Sequence, residues 1–318
     1  MKTLYKVDGE PIVNKERLNP CFMGAWYHKV FSTTFNWQGI TGVLTLPHVK
    51  IRRYKDSFDE SKDVDYNQKN LDVSSIYIGG FAKNESDVGL AFFRGFILKD
   101  GTYVVSEGSL VYRPFWRYIT DEDGDIGPYD YEHGRNYSVS MLSNNNGVKN
   151  CYAQYSPNFT EYYYLPGDKL RMSIFSPKPN YMQMKIEVLE VSAISSSVEL
   201  RKANQWREPK DFISPVFSSP GHGTNIPKEY KRVNAIDQVS NEGKPSIDTQ
   251  TKISNAIWHD CYLYYAENNE TYLVPLNEER SYMMNCPNPN RFTYESIDKK
   301  TGGSIVTLHP GEEKWKKL

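Results

Sequence analysis

Apolar and polar residues alternate with period two along most of the chain, and turn residues interrupt the alternation at short intervals. Tyr181-Met182-Gln183-Met184-Lys185-Ile186-Glu187-Val188-Leu189-Glu190-Val191 keeps this alternation throughout. Lys169 to Phe175 does so after the turn Pro166-Gly167-Asp168. Shorter runs at 42–46, 74–80, 88–96, 115–119, 137–142 and 151–155 predict further strands. Lys83 to Asp87 reads as the polar turn between two of them, and Asp100-Gly101 as a hairpin turn inside 98–105. Helical periodicity is confined to 204–210 and 227–237, a turn or two each. The pattern therefore predicts an all-β protein with less than about 15% helix. Many short strands with Gly, Pro and Asn turns fit a two-sheet antiparallel β-sandwich of the concanavalin-like, jelly-roll kind.

Three regions follow from the same pattern. Residues 1–21 read as an N-terminal extension and 22–266 as the sandwich. Residues 267–318 are polar, hold Pro275, Pro287, Pro289 and Pro310, and read as a small C-terminal lobe. That lobe ends in a β-hairpin formed by 292–297 and 305–308.

Charge narrows the partners. The 318 residues contain 38 Lys plus Arg and 39 Asp plus Glu, a net charge of -1. Neither half carries the basic excess of a nucleic-acid binder. No apolar run is long enough for a transmembrane helix. The first residues lack the apolar stretch of a signal peptide, which implies a cytoplasmic protein or one released without a signal, to a cell or spore surface for instance. Reduced thiols are then expected at Cys21, Cys151, Cys261 and Cys286, which show no C-x-x-C spacing. Tyr (24) outnumbers Phe (14), as half-buried sheet positions favour. Two Tyr-rich, charge-poor stretches, 162–165 and 262–265, read as sheet edges open to self-association, with little net charge to oppose it.

Candidate chemistry is thin. Asp121, Asp123, Asp125 and Glu132 stand at positions 1, 3, 5 and 12 of a calcium-loop spacing, where oxygen ligands suit a hard cation. Ile126 occupies the sixth position, where that loop needs glycine, so calcium binding is expected to be weak and no cofactor is implied. The six histidines follow no zinc spacing, and no nucleophile elbow or phosphate loop occurs. Trp116, Tyr118, Tyr129 and Tyr131 cluster around the acidic loop and are the residues expected to stack on a glycan.

One ordered set of segments resembles the eqolisin, or glutamic peptidase, family over residues 36–190. It comprises Asn36-Trp37-Gln38-Gly39 with Ile40 to Pro47, Ile76-Tyr77-Ile78-Gly79-Gly80, Tyr152-Ala153-Gln154-Tyr155-Ser156-Pro157, and Leu165 to Ile174. The resemblance implies a β-sandwich and a peptidase site with a Glu general base and a Gln at the oxyanion. Here Gln154 stands in the place of the Glu, and Phe93 near the place of the Gln. A neutral amide does not take a proton from water near neutral pH, so both catalytic positions are substituted and peptidase activity is not expected. The sequence thus points to a non-catalytic recognition or self-assembly protein. A lectin-like module is the first alternative, and a peptidase or polysaccharide-cleaving enzyme of this fold the second.

Overall fold

The computed structural model describes residues 1–13, 20–51, 73–93, 96–99, 102–105, 111–121, 137–155, 159–239, 243, 245–246 and 248–311. It is 54% strand and 6% helix, with two sheets packed face to face, antiparallel except where Lys2 and Thr3 pair in parallel with Tyr272 and Leu273. Strands are numbered in chain order. The eight-stranded sheet runs β10 (Tyr137–Asn145), β11 (Val148–Tyr155), β9 (Val111–Thr120), β6 (Glu85–Phe93), β5 (Val73–Phe81), β16 (Glu229–Gln238), β2 (Ala25–Ser32) and β20 (Ser281–Cys286).

The larger sheet runs β1 (Lys2–Thr3), β19 (Glu270–Pro275), β18 (Tyr262–Glu267), β3 (Trp37–Thr45), β12 (Lys169–Phe175), β13 (Tyr181–Glu190) and β14 (Phe212–Ile213). A branch through β17 (Lys252–Trp258) adds β4 (His48–Lys50), β22 (Ser304–Leu308) and β21 (Phe292–Tyr294), and β15 (Phe217–Ser218) joins β13. Separately, β7 (Phe96–Lys99) pairs antiparallel with β8 (Thr102–Val105), while the expected turn residues Asp100 and Gly101 lie outside the described residues.

Alternation explains the core. Met182, Met184 and Ile186 of β13 are fully buried while Gln183, Lys185 and Glu187 point away. Antiparallel register sets Ile40, Ile174 and Met184 side by side, and Gly42, Met172 and Ile186 beside them. Ile76, Ile78, Val88, Leu90 and Tyr230 of the facing sheet close the same core. Each such side chain stabilises the fold by roughly 1.5–3 kcal/mol relative to exposure.

Four expectations are corrected here. Residues 227–237 are not helical but form most of β16, a central strand buried on both faces, so its sequence lacks alternation. The described helix, α1, is Ser195–Ala203 and precedes the expected 204–210. Residues 267–311 are not set apart as a lobe, because β19 extends the larger sheet and β20 the smaller. The expected hairpin does exist, as β21 paired with β22. Neither Tyr-rich stretch is an edge: β18 lies between β19 and β3, and Tyr163, Tyr164 and Leu165 are buried.

A turn locks α1 onto the sandwich. Gly167 adopts φ of +88°, and Asp168 behind it is fully buried. Its carboxylate accepts hydrogen bonds from the backbone N–H of Leu165 and of Ser192, each at 2.7 Å. Arg201 of α1 reaches the same carboxylate at 3.2 Å. Among the described residues no helix is long and apolar enough to cross a membrane.

Candidate functional site: a hollow in the outer face of the eight-stranded sheet

The outer face of the eight-stranded sheet, turned away from the core, is ordered in rows by strand register. One row crosses Phe31 of β2, Lys231 of β16, Gly79 of β5, Asp87 of β6, Arg117 of β9 and Tyr152 of β11. The next crosses Lys29, Val233, Tyr77, Gly89, Phe115 and Gln154 on the same strands. Each row holds one glycine, and each glycine makes room for its neighbours to meet. A Cβ on Gly79 would stand 3.0 Å from Lys231 Cε and closer still to the Asp87 carboxylate. A Cβ on Gly89 would stand 2.6 Å from Tyr77 Cα.

The first row becomes a charge network. Arg117 Nη1 donates to Glu85 Oε2 at 2.9 Å and to Asp87 Oδ2 at 3.1 Å, while its Nε donates to Asn150 Oδ1. Lys231 Nζ donates to Glu85 Oε1 and sits 2.8 Å from Asp87 Oδ1, off the line a hydrogen bond needs. The Lys231 ammonium, with Arg117 behind it, holds the Glu85 carboxyl well below the ordinary carboxylate range against the opposing effect of burial. Burial alone would lower the pKa of Lys231, but Asp87 and Glu85 outweigh it and raise it. Glu85 and Lys231 therefore stay charged at neutral pH.

The second row becomes aromatic. Tyr77 meets Phe115 edge-on at 5.9 Å between ring centroids, and Phe115 stacks on Tyr152 at 5.3 Å. Together the rows enclose a hollow of about 270 Å³, lined also by Lys29, Ser75, Gln238, Pro20 and Phe22. Phe22 stacks on Tyr27 at 4.2 Å. Next to it, Cys21 forms a disulfide with Cys286 of β20, the sulfurs 2.04 Å apart. The expectation of four reduced thiols is thus corrected for this pair and holds for buried Cys151 and Cys261. The two bridged cysteines are 265 residues apart, so no sequence spacing announces them.

The expected site residues fare differently. Trp116 and Tyr118 alternate with Phe115 and Arg117 and therefore face the core, 1% and 2% exposed. They offer no surface to a glycan, which corrects that expectation for both. Gln154 lies half-buried at the end of the aromatic row. Phe93 ends β6 and pairs with Val111, four residues along β9 from the partner of Gln154, about 13 Å in the strand direction. Asp121 is exposed just past β9, whereas Asp123, Asp125, Tyr129, Tyr131 and Glu132 lie outside the described residues. Among the described residues no cluster of three His, Cys, Asp or Glu is arranged to hold a metal.

Sequence reasoning missed Lys29, Glu85, Asp87, Arg117 and Lys231. Glu85 and Asp87 were hidden inside the expected polar turn, which is shorter than predicted because β6 already begins at Glu85. The usable signal was the spacing of two acids at i and i+2 immediately before an apolar strand, which places both on one face.

No family model and no curated protein matches the chain. Among solved structures, the chain is similar to scytalido-glutamic peptidase with a transition state analog inhibitor. That match has 8% identity and a TM-score of 0.42 over 91% of this chain and 100% of the other. It is similar to the same extent to SCP-B, a member of the eqolisin family of peptidases in a complex with the tripeptide Ala-Ile-His: 8% identity, TM-score 0.42, 91% and 100% coverage. At that identity and score the likeness carries no catalytic residue over to this chain.

Proposed function

We propose that the protein is a non-catalytic recognition protein whose binding site is the hollow on the outer face of the eight-stranded sheet. The observation that carries this reading is the pairing inside the hollow: Glu85, Asp87, Arg117 and Lys231 neutralise one another beside the Tyr77, Phe115 and Tyr152 rings. A general base needs a pKa near the working pH and a lone pair free for the substrate. The Glu85 carboxylate lacks the first, since its pKa is depressed, and each of its oxygens already accepts from a cation. Gln154, on the same face, is an amide. What remains is a rigid wall of rings with fixed charges, which suits binding and orientation.

The volume supports a small ligand or a chain end, because about 270 Å³ falls just under the size at which drug-sized sites begin. The Cys21–Cys286 bridge supports residence in an oxidising environment, as on a cell or spore surface. A ligand-observed NMR screen of ring-bearing fragments tests the reading, with Tyr152→Ala as the control. Fragments are expected to bind the wild type and to lose affinity in the variant. Turnover of casein or a short peptide that disappears in Glu85→Gln would overturn the non-catalytic assignment.

A further inference from the structure

Resting on that reading, we infer that the ligand carries a carboxylate beside a flat apolar ring, and that Lys29 pairs with the carboxylate. Three cations and two anions line the hollow. Four of these groups are engaged with one another, which leaves Lys29 as the uncompensated charge. Its ammonium has no carboxylate in ion-pair reach and no hydrogen-bond acceptor among the described residues. It hangs instead over two rings, 5.5 Å from the Phe31 centroid and 5.8 Å from that of Tyr27.

A half-buried charge without a counter-charge is costly, and the neighbouring Lys231 adds repulsion. Lys231 and Glu229 face Lys29 from β16, Glu85 and Asp87 from β6, and Met284 beside it on β20 carries no charge. Burial first, and then Lys231, bring the Lys29 pKa down to about 8 against the weaker pull of the three acids. An incoming anion relieves both burdens at once.

Register fixes the rest of the ligand. Lys29, Val233 and Tyr77 stand in one row on three successive strands, so Lys29 and Tyr77 are about 9.6 Å apart at the backbone. A carboxylate within reach of Lys29 therefore leaves an attached ring against Tyr77 and Phe115. The same chemistry is offered by a small aromatic acid and by the free C-terminus of a peptide ending in Phe.

Calorimetry on the full chain with its disulfide intact tests both sources: phenylacetate against phenylacetamide, and acetyl-Ala-Phe with a free against an amidated C-terminus. Each acid is expected to bind at least about tenfold more tightly than its amide, as a charge-assisted hydrogen bond warrants. The advantage is expected to vanish in Lys29→Met and persist in Lys29→Arg, both checked for native circular dichroism. It is also expected to decline as pH rises above 8, when the free ammonium loses its proton. The source that shows the larger acid preference is the ligand class. Acids and amides binding equally would overturn the role of Lys29 while leaving the recognition site standing. No binding by any of the four probes would overturn both.

Discussion

The carboxylate of Asp87 on β6 lies 2.8 Å from the ammonium of Lys231 on β16, across the intervening strand β5, because the residue between them is Gly79. Neighbouring strands stand about 4.8 Å apart, so these two backbones are separated by roughly twice that distance. Any side chain at position 79 would occupy the space in which the two charges meet.

Gly79→Ala is therefore expected to destabilise the protein by about 1–3 kcal/mol through overpacking. The loss should be read by urea unfolding at pH 7. It should be accompanied by loss of fragment binding in the hollow, because Asp87 and Lys231 must move apart.

The same network sets a pH dependence. The folded-state pKa of Glu85 is depressed, chiefly by Lys231, so its contribution is present above the unfolded value of about 4.3 and is lost as pH falls through the folded one. The wild type should lose stability steadily below about pH 4. Lys231→Met removes the main cause of the depression, and its unfolding free energy should change less between pH 5 and 3 than that of the wild type. Equal acid sensitivity in the two proteins would count against the network.

Trp116→Ala is expected to cost about 3–5 kcal/mol, the range for emptying the space of a buried Trp. Thermal or chemical unfolding measures it directly. A variant as stable as the wild type would place this ring on the surface after all.

Asp168→Ala leaves the Arg201 guanidinium buried without its carboxylate and two backbone N–H groups without their acceptor. A loss of about 3–5 kcal/mol is expected. Hydrogen exchange should show α1 opening before the strands.

Alkylation of the denatured chain without reductant should label two cysteines, Cys151 and Cys261, and with reductant all four. Replacing Cys21 and Cys286 together by Ser should lower stability by about 2–5 kcal/mol. The unfolding midpoint of the oxidised wild type should fall to that of the double variant when reductant is added.

Much of the architecture was readable before any pairing was known. In β12 and β13 the residue types alternate because one face meets the core and the other meets solvent, and a period of two follows from the pleat. In β16 that reasoning fails. Eight of its ten residues are buried, including Lys231 and Arg232, since one face meets the core and the other is covered by the network, so no solvent-facing set marks the period. Helical propensity at 227–237 was outweighed by pairing with β2 and β5 on either side.

The candidate site divides along the same line. Alternation at 115–119 puts Phe115 with Arg117 on one face of a strand, because successive side chains point to opposite sides. The same rule, once β2 and β6 are known as strands, joins Lys29 with Phe31 and Glu85 with Asp87. It could not say that these faces adjoin. Lys231 and Glu85 are 146 residues apart, and only the pairing of β16 with β5 brings them together. Pairing partners are chosen by the burial of the whole inner face and by the connections between strands, neither of which is a local property of the chain. Trp116 shows the cost of reading locally: its sequence neighbours suggested a surface platform, and one step in strand phase turns it into the core.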